Sequence, residues 1–412
     1  MGRSVTVIGA GFVGVCCALY LQREGFKVRL IDKGEPGKAA SYGNSGSFGT
    51  ASCVPFALPG VLKKVPRMLF DSTSPLKLRW SHVPGALPWF LRFIESARPS
   101  RVEAIAAARN SLLVHTHAGY APLVEGADAG KWISDQGLLM TFESEEAFRN
   151  AAYALDLRRR NGVHMDILDG NEARQMEPAL SSKVIKAVSL PDVHRTIDPW
   201  RLCDALARDF VRRGGEILNA EVRGFEIGGE GPTKIVTDGG PIDVDMVVIA
   251  AGVWSRSLAK QLGTSVPLEA ERGYHVMFRP QDFGLKRALV SADRSVSLAH
   301  MHEGIRATGV AEFAAPDAPP DMRIADMVMR HAKELVPGLQ GEPASRWMGP
   351  RPSHPDSKPV IGRSPRHRNV LFAFGHDHLG LTMAGITSKL IAELATGKPT
   401  TVDLAPFRPD RF

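Results

Sequence analysis

The sequence predicts an α/β fold, α+β overall, built on a Rossmann-like unit that binds a dinucleotide, and three N-terminal features carry this prediction. Residues 5–8 form a short β-branched run, typical of a buried strand. A Gly-x-Gly-x-x-Gly turn over residues 9–14 follows directly, and residues 13–23 have apolar helical character. A second strand over residues 27–32 ends on an acid. Together they make a complete βαβ unit of about 30 residues, with the glycines where strand becomes helix.

Each glycine of this turn has its own task in binding a pyrophosphate. Gly9 permits the tight turn, Gly11 lets the backbone approach the phosphates, and Gly14 lets the helix pack on the sheet. The phosphates then lie on the free N–H groups at the positive end of the helix. Asp32 is placed to accept hydrogen bonds from a ribose hydroxyl. The cofactor contacts predicted in this unit are Gly9, Gly11, Phe12, Val13, Gly14, Asp32 and Lys33.

The composition is that of an ordinary globular protein. The 412 residues are 44% hydrophobic and 23% charged, which argues against disorder. Four cysteines without CxxC spacing or a histidine cluster argue against a disulfide framework or a metal site. The net charge of +7 would suit an anionic partner, but the basic residues are scattered. The cluster Arg158, Arg159 and Arg160 is interpreted as a solvated helix face, with a lipid or nucleic-acid patch as the alternative.

We expect a cytoplasmic protein, or one attached peripherally to the inner face of a membrane. The first apolar run leads into a glycine turn instead of a cleavage site, and no stretch reaches the roughly 18 apolar residues of a membrane-spanning helix. Residues 55–100 interleave aromatic and basic side chains, which suits a headgroup interface; the alternative is a proline-broken helical layer over the substrate site. The residues concerned are Trp80, Trp89, Phe90, Phe93, Lys63, Lys64, Arg67, Lys77 and Arg79.

Further elements follow along the chain. Asp198 is the expected N-cap of an amphipathic helix over residues 199–213. Residues 245–252 predict an apolar strand running into a glycine turn, as in a sheet covered on both faces. Residues 305–313 predict another strand, and residues 370–396 a strand, a turn and a helix.

The choice between NAD and FAD rests on two further observations. No second Gly-x-Gly-x-x-Gly unit is visible, so a separate nicotinamide-binding domain is not expected. Residues 40–47, Ala-Ser-Tyr-Gly-Asn-Ser-Gly-Ser, form a glycine- and hydroxyl-rich segment that can pass close to a flat ring system. An ordinary mobile loop is the alternative interpretation of that segment.

Several blocks in a fixed order resemble one known family. They include Val-Val-Ile-Ala-Ala-Gly-Val-Trp-Ser at 247–255 and Gly-His-Asp-His-Leu-Gly-Leu-Thr at 375–382. The other blocks are residues 9–32, 41–46, 267–274, 304–312, 349–352 and 355–362. With these blocks, nearly the whole chain resembles the D-amino-acid oxidase and dehydrogenase superfamily of FAD proteins, particularly its bacterial D-amino-acid dehydrogenase branch.

The resemblance implies two interleaved domains. A Rossmann-like FAD-binding domain would take residues 1–80, 165–262 and 345–412, and a mixed-sheet substrate domain residues 81–164 and 263–344. The turn at 375–382 and its helix would close the cofactor site against the flavin. The additional FAD contacts that the resemblance implies are Ser41, Asn44, Ser45, Gly46, Val222, Ala251, Gly252, Trp254, Gly349, Arg351, Gly375, His376, His378, Leu379, Gly380, Leu381 and Thr382.

The sequence departs from the family pattern at two points. Asp32 stands where the family more often has glutamate, which gives the ribose contact a shorter reach. Some relatives attach flavin covalently through a C-terminal cysteine or an N-terminal histidine. Here no cysteine follows Cys203 and no histidine precedes His82, so non-covalent FAD is expected.

The resemblance also implies a reaction, the oxidative deamination of a D-amino acid. A hydride passes from Cα to flavin N5, and the resulting imino acid is hydrolysed by water. The substrate carboxylate needs a cation, and the planar fork of arginine binds it bidentately. Arg306 is the favoured anchor and Arg351 the second; their alternatives are a surface salt bridge and a structural pairing.

Other residues of these blocks have two interpretations each. Tyr274 either lines the substrate pocket or packs in the core. His376 and His378 flank the flavin turn, and at least one of them is expected to contact flavin or substrate. His300 and His302 are interpreted as exposed turn residues.

Substrate and partner remain open at this point. A free D-amino acid comes first, followed by D-proline or cis-4-hydroxy-D-proline, and then by an N-methyl amino acid of the sarcosine type. From another class, the chain is an FAD subunit that passes electrons to a partner, or a catalytically silent flavin scaffold. The electron acceptor is either oxygen or a quinone-linked chain.

Overall fold

The computed structural model describes residues 4–60 and 76–412, so Lys63, Lys64 and Arg67 lie outside the described residues. The strands are β1 (Ser4–Ile8), β2 (Lys27–Asp32), β3 (Leu76–Leu78), β4 (Ile133–Ser134), β5 (Leu138–Phe142), β6 (Asp166–Asp169), β7 (Lys186–Leu190), β8 (Arg195–Thr196), β9 (Glu216–Asn219), β10 (Val222–Ile227), β11 (Pro232–Thr237), β12 (Gly240–Asp243), β13 (Met246–Ile249), β14 (Glu269–Phe278), β15 (Ala288–Ser291), β16 (Val296–Met301), β17 (Gly304–Phe313), β18 (Ser345–Ser353), β19 (Val360–Arg363) and β20 (Val370–Phe374). The helices are α1 (Phe12–Arg23), α2 (Val83–Ser96), α3 (Pro99–Leu113), α4 (Thr116–Gly126), α5 (Glu145–Arg160), α6 (Gly170–Met176), α7 (Pro199–Arg212), α8 (Ser255–Gln261), α9 (Met322–Leu335) and α10 (Gly380–Thr396).

The N-terminal unit builds a mainly parallel sheet in the order β19-β20-β13-β1-β2-β9. β1 pairs in parallel with β2 and β13, and only the edge strand β19 runs antiparallel to its neighbour β20. Val5 and Val7 pack on the side of α1, whereas Ile8 packs on the opposite side with Ile249 and Leu258 of α8. Both faces of the sheet are therefore covered, which explains why its strands are continuous apolar runs.

A second, mixed sheet has the order β18-β14-β17-β16-β15-β5-β7-β6, with β3 beside β17. Most of its pairs are antiparallel, but β5 runs parallel to β15 and β3 parallel to β17. The apolar face of α9, which includes Ile324 and Val328, packs with Tyr274 and Val276 of β14. The predicted α/β fold, a Rossmann-like domain interleaved with a mixed-sheet domain, is confirmed.

The strand pairing moves the domain boundaries away from those predicted. β6 and β7 fall within the segment 165–262, and β18 within 345–412, yet all three hydrogen-bond in the mixed sheet. β3, within residues 1–80, also pairs with β17 of that sheet. Sheet membership depends on distant pairing partners, which the blocks that carry the family resemblance do not reveal. The chain thus returns to the parallel sheet only after Leu190 and again after Ser353.

The helix at 199–212 follows its predicted cap. The Oδ1 atom of Asp198 accepts a hydrogen bond from the N–H of Arg201 at 3.0 Å, and Pro199 occupies the first turn. Among the described helices, none has both the length and the apolar character needed to cross a membrane.

Candidate active site

A cavity of about 1290 Å³, here called the central cavity, lies between the two sheets. One end is formed by the carboxyl ends of β1, β2 and β13, where open α/β sheets bind their ligands. The other end is formed by β14, β16, β17 and α2. The predicted site residues that line it are Gly9, Gly11, Phe12, Val13, Asp32, Lys33, Ser41, Asn44, Ser45, Val222, Ala251, Gly252, Trp254, Tyr274, Gly349, Arg351, Gly375, His376, His378, Leu379, Gly380 and Leu381.

Four further predicted residues, Gly14, Gly46, Arg306 and Thr382, are not among the lining residues and lie behind the wall. A Cβ on Gly14 would lie 1.7 Å from the carbonyl oxygen of Gly9, so this glycine lets α1 start close to the turn. The Oγ1 atom of Thr382 accepts a hydrogen bond from the N–H of Gly49 at 2.9 Å. Thr382 thus anchors the wall segment at Gly49 although it does not line the cavity itself.

The glycine turn at the start of α1 leaves no room for a side chain. Gly9 has φ +106°, and a Cβ there would lie 2.4 Å from the carbonyl oxygen of Ala250. The N-cap residue Gly11 offers no side chain, although Ser41 Oγ accepts the N–H of Phe12 at 3.2 Å. The first turn of α1 therefore presents backbone N–H groups and the positive end of the helix dipole to the cavity, which is the arrangement that binds a pyrophosphate.

Asp32 ends β2 at the rim of this turn. Its Oδ2 atom accepts the N–H of Ala10 at 2.7 Å, and its Oδ1 atom accepts the N–H of Gly34 at 2.9 Å. Each carboxylate oxygen keeps lone-pair capacity for a further donor, and the residue lines the cavity. The carboxylate is thus fixed in orientation where the ribose of a bound dinucleotide would lie.

Residues 41–49 form the cavity wall beyond the pyrophosphate region. Gly46 has φ +82°, and a Cβ there would lie 2.4 Å from the carbonyl oxygen of Thr196. The Oδ1 atom of Asn44 accepts the N–H of Gly46 at 2.8 Å. The segment is therefore a turn with an internal hydrogen bond, and its Gly46 packs closely on the backbone of Thr196.

Arg306 holds this same loop and does not reach the cavity. Its Nη1 atom donates to the carbonyl oxygens of Tyr42 at 2.8 Å and Asn44 at 2.7 Å. The side chain is buried, and burial lowers the pKa of its guanidinium. The structure therefore does not support Arg306 as the favoured carboxylate anchor, because the loop covers this end of β17.

Arg351 does line the cavity. Its Nη1 atom donates to Oε1 of the buried Glu271 at 2.8 Å, and the side chain is 27% exposed. Its Nε and Nη2 atoms form no hydrogen bond within the part of the chain that is described. A Cβ on Gly273 would lie 2.0 Å from Nη2, so the guanidinium occupies the space that this glycine leaves free. Arg351 is thus positioned by its ion pair with Glu271 and by packing on Gly273, and its Nε and Nη2 donors keep their hydrogen-bonding capacity.

Tyr274 lines the cavity but has a structural hydrogen-bond network. Its hydroxyl donates to Oε2 of Glu312 at 2.6 Å and accepts the N–H of Asp321 at 3.1 Å. Glu312 in turn lies 3.2 Å from Nε of the fully buried Arg272. Burial raises the pKa of Tyr274 to about 12, so the phenol stays protonated and anchors β14 to β17.

The turn after β20 contains a buried ion pair that sequence reasoning missed. Asp377 has φ +49° and lies 3.7 Å from Nη1 of Arg109, which is 1% exposed. Burial raises the pKa of Asp377 to about 7, although Arg109 opposes this rise. No local pattern could have found the pair, because its members are far apart in sequence and sit on different elements.

His376 and His378 flank Asp377 and face different surroundings. The ring of His376 is hydrogen-bonded to Oγ1 of Thr387 at 3.0 Å, and burial lowers its pKa to about 3. The ring of His378 packs on Phe56 at 4.8 Å between centroids, and its Nδ1 atom is buried without a partner in the described chain. Burial lowers the pKa of His378 well below its usual value, so both rings are neutral. An unpaired, neutral ring nitrogen at the cavity wall is available to a ligand.

Trp347 is a second residue that the sequence analysis did not identify. It lines the cavity and stacks on His275 at 5.0 Å between centroids. A Cβ on Gly43 would lie 1.8 Å from its ring, and one on Gly349 2.1 Å away. The indole, which belongs to β18, therefore packs between Gly43 of the loop and Gly349 of its own strand, and only these two glycines leave room for it.

A β-bulge shapes the cavity at the mixed sheet. Gly273 pairs with Ala311 and Tyr274 with Gly309, which leaves Val310 unpaired. Val310 has φ +59°, a strained conformation for a β-branched residue that costs about 1–3 kcal/mol. The bulge turns Val310 into the cavity wall.

These features define a class of protein. A Rossmann-like sheet, a glycine turn at a helix N-terminus and an acid at the end of β2 open into one cavity larger than the usual 300–1,000 Å³ of small-molecule sites. A second domain closes that cavity with an arginine and apolar side chains. The fold and the site are those of a dinucleotide-dependent oxidoreductase.

The comparisons identify the family. The chain belongs to the family described as FAD dependent oxidoreductase, which matches residues 4–394. FAD is therefore its cofactor, and the glycine turn, Asp32 and the 41–49 loop fit that dinucleotide.

Relatives and solved structures agree with this assignment. The chain is 38% identical over 418 residues to a D-amino-acid oxidase of Bradyrhizobium diazoefficiens, covering 100% of this chain and 99% of that protein. It is 30% identical to a D-amino acid dehydrogenase of Paramagnetospirillum magneticum, covering 99% of this chain and 98% of that protein. A glycine oxidase structure from Geobacillus kaustophilus superposes with a TM-score of 0.79 at 23% identity, covering 100% of this chain and 99% of that one, a likeness of fold. The resemblance to the D-amino-acid oxidase and dehydrogenase superfamily is thus confirmed.

Proposed function

We propose that this enzyme oxidises a free D-amino acid with an apolar side chain to the imino acid, which water then hydrolyses. The observation that carries the proposal is Arg351, a guanidinium that lines a largely apolar cavity and whose Nε and Nη2 atoms form no hydrogen bond within the described residues. FAD, when bound, supplies the redox chemistry by accepting two electrons from the substrate carbon.

Arg351 suits a carboxylate because its pairing with Glu271 leaves the Nε and Nη2 atoms free. Two parallel N–H groups on one edge match the two oxygens of a carboxylate. Glu271 is buried, so it holds the guanidinium without competing for that edge. The guanidinium of Arg351 is mostly shielded from water, and a bound carboxylate would be shielded with it. An ion pair between two partly desolvated groups is stronger than one at an exposed surface.

The apolar part of the cavity lining supports an apolar side chain on the substrate. It is formed by residues of α2 and of the mixed sheet, and burying each methylene there is worth about 0.8 kcal/mol. The apolar lining residues are Leu76, Leu78, Val83, Leu87, Phe90, Phe93, Leu138, Met140, Val290, Val296, Val310 and Phe313. No lysine or carboxylate from the described part of α2 lines this wall, which disfavours a charged substrate side chain.

The protein's tasks in the reaction are binding, orientation and exclusion of water. Arg351 would fix the carboxylate, and the apolar wall would fix the side chain, so that the Cα–H bond has one orientation. The substrate amine must be neutral to lose two electrons, and the neutral rings of His376 and His378 place no competing cation beside it. Tyr274 remains protonated in its network with Glu312 and serves as wall, not as a base.

The D configuration is supported by the names of two relatives, a D-amino-acid oxidase and a D-amino acid dehydrogenase. One relative is named an oxidase and the other a dehydrogenase, so their names do not agree on an electron acceptor. The proposal therefore covers the reduction of FAD by the substrate, and oxygen and a quinone-linked chain are the acceptors to be compared. D-Proline, cis-4-hydroxy-D-proline and sarcosine are the competing substrates.

The test is turnover by the purified holoenzyme with an artificial dye acceptor. We expect release of ammonia and the oxo acid from D-leucine and D-phenylalanine, with much less from their L enantiomers and from sarcosine. Faster turnover of D-proline or cis-4-hydroxy-D-proline would identify a cyclic imino acid, and not a free primary amino acid, as the substrate. No turnover of any of these by the flavin-loaded chain would favour a subunit that needs a partner.

A further inference from the structure

A second cavity, of about 530 Å³, lies beside the loop at 41–49 and is here called the basic cavity. Its lining includes Arg195, Lys286, Arg287, His300 and His302, and none of the described residues that line it carries a carboxylate. The backbone of Arg195 is bridged to that of Ser47, which lines the central cavity. The two cavities are therefore neighbours but separate.

Arg195 is buried in this cavity without a partner. The residue is 5% exposed, and its Nε and Nη1 atoms have no hydrogen-bond acceptor within the described residues. Burial alone lowers the pKa of its guanidinium, with no acid contributing. By contrast, the buried Arg109 and Arg306 each donate to two backbone carbonyl oxygens. An unpaired buried cation is costly, so a site built this way favours an anionic ligand.

The neighbouring charges leave a positive surplus. Arg287 donates to the carbonyl oxygen of Met176 at 2.7 Å, and its charge is close to the buried carboxylate of Glu177. Lys286 is exposed and forms no ion pair among the described residues. Arg195 and Lys286 therefore contribute two positive charges to the lining, and neither side chain forms an ion pair within the described residues.

His300 and His302 complete the wall from another strand end. His300 is the penultimate residue of β16 and is half-buried, contrary to the expected exposed turn, whereas His302 follows the strand and is exposed. The ring of His302 packs edge-on against Trp132 at 5.4 Å between centroids, which holds it at the rim. The basic cavity is thus lined by potential donors from three separate segments of the chain, at residues 195, 286–287 and 300–302.

We propose that the basic cavity binds a phosphate-type dianion, either inorganic phosphate or the phosphate group of a monoester. Donors from three segments of the chain suit a tetrahedral group with several charged oxygens, whereas a planar carboxylate is served by one bidentate fork. Arg195 and Lys286, the two cations without an ion-pair partner in the described chain, match the phosphate charge of about −1.5 to −2 near neutral pH.

The experiment is calorimetric titration of the FAD-loaded enzyme at constant ionic strength, with inorganic phosphate, methyl phosphate and acetate as separate probes. We expect saturable binding of both phosphates and none of acetate. Higher affinity for methyl phosphate would indicate that the natural ligand is a phosphate monoester. Higher affinity for inorganic phosphate would indicate that it is the free ion. Tighter binding of acetate, or no saturable binding of either phosphate, would overturn the proposal.

Variants locate the site. Arg195→Met should weaken phosphate binding at least tenfold, and Lys286→Glu, at an exposed position, should abolish it. The matched control Lys27→Ala removes an exposed lysine of β2 and should leave binding unchanged. If Arg195→Met loses its flavin or fails to fold, the phosphate affinity of Lys286→Glu alone tests whether the basic cavity is the binding site. Wild-type affinity in Lys286→Glu would contradict the assignment.

Discussion

Arg351 is the residue on which the substrate proposal depends. Arg351→Lys keeps the charge but loses the fork, so kcat/KM for a D-amino acid should fall by about 30- to 1,000-fold, equivalent to about 2–4 kcal/mol. FAD content should stay normal. The matched control is Arg346→Lys on the same strand, whose side chain pairs with Asp326 and Glu342 outside the central cavity. Unchanged kinetics in Arg351→Lys would remove Arg351 from the substrate site.

Asp377 should make stability depend on pH. Its pKa is raised from 3.8 to about 7, so the folded state holds a proton that the unfolded chain releases. Its contribution to the free energy of unfolding is fully present below about pH 4 and is lost as the pH rises through about 7. Asp377→Asn cannot ionise, so its Tm should match wild type near pH 4 and exceed it by a few degrees near pH 8.

Thermal unfolding of the FAD-loaded proteins across this pH range provides the measurement. The exposed Asp243→Asn serves as control and should show no such crossover. A wild-type Tm above that of Asp377→Asn near pH 8 would mean that the ion pair with Arg109 outweighs the cost of burial.

At the residue scale, the sequence predicted local motifs well and distant contacts poorly. Gly9, Gly11 and Asp32 line the central cavity because one βαβ unit fixes them within a few residues of each other. The sequence could not predict which of Arg306 and Arg351 reaches the cavity, because that depends on which strand end the loop at 41–49 covers. The alternation of β17 is also broken by the bulge at Val310, which no turn signal announces.

At the scale of elements, α2 forms a wall of the active site. Trp89 is buried, stacks on Phe93 and donates from its indole to the carbonyl oxygen of Ser353 at 3.0 Å. Arg79 is paired with Glu312 at 3.0 Å. These contacts support the helical layer over the substrate site and remove Trp89 and Arg79 from the proposed headgroup surface, whereas Trp80 is 65% exposed.

Replacing Trp89 should therefore affect stability. Trp89→Ser deletes a buried ring and leaves the carbonyl of Ser353 without its donor, so it should cost about 3–5 kcal/mol in unfolding free energy. Trp80→Ser is the matched control and should change stability by less than about 0.5 kcal/mol. Denaturant unfolding measures both. Any loss of sedimentation with anionic vesicles should follow Trp80→Ser; equal stability of the two variants would show that α2 is not packed as described.

The basic run at the end of α5 only partly matches its predicted role as a solvated helix face. The basic run at 158–160 was expected to be a solvated helix face, and Arg160 does pair at the surface with Glu103 at 2.7 Å. Arg158, however, lines the central cavity and donates to the carbonyl oxygen of Ala51 at 3.1 Å. Consecutive side chains of a helix point in different directions, so Arg158 faces the central cavity while Arg160 faces solvent.

At the scale of the whole molecule, the sequence indicated two interleaved domains, but not where the chain crosses between them. The parallel sheet was predictable because its strands are short apolar runs next to glycine turns. β6, β7 and β18 join the mixed sheet through partners far along the chain, and their own patterns do not name those partners. The blocks of family resemblance marked the cofactor site more sharply than the domain edges.

Release of the cofactor tests the interpretation of the whole cavity. The described cysteines are all buried, and burial raises the pKa of Cys203 and Cys17, which makes them poor nucleophiles for flavin attachment. We expect mild denaturation to release FAD, and neither FMN nor NAD, into the supernatant. Chromatography of the supernatant and absorbance of the precipitate measure this. Flavin that stays on the precipitated chain would contradict non-covalent binding.

Anaerobic flavin reduction is the most direct test of the central claim, because it isolates the oxidation of substrate from any electron acceptor. The FAD-loaded enzyme is mixed with D-leucine or L-leucine, and bleaching of the oxidised flavin band is followed in wild type and in Arg351→Lys. We expect rapid bleaching of wild type by D-leucine, slow or no bleaching by L-leucine, and a large loss of the D-leucine rate in Arg351→Lys. Equal reduction by both enantiomers, or none by D-leucine in a fully flavin-loaded protein, would rule out D-amino-acid oxidation at this site.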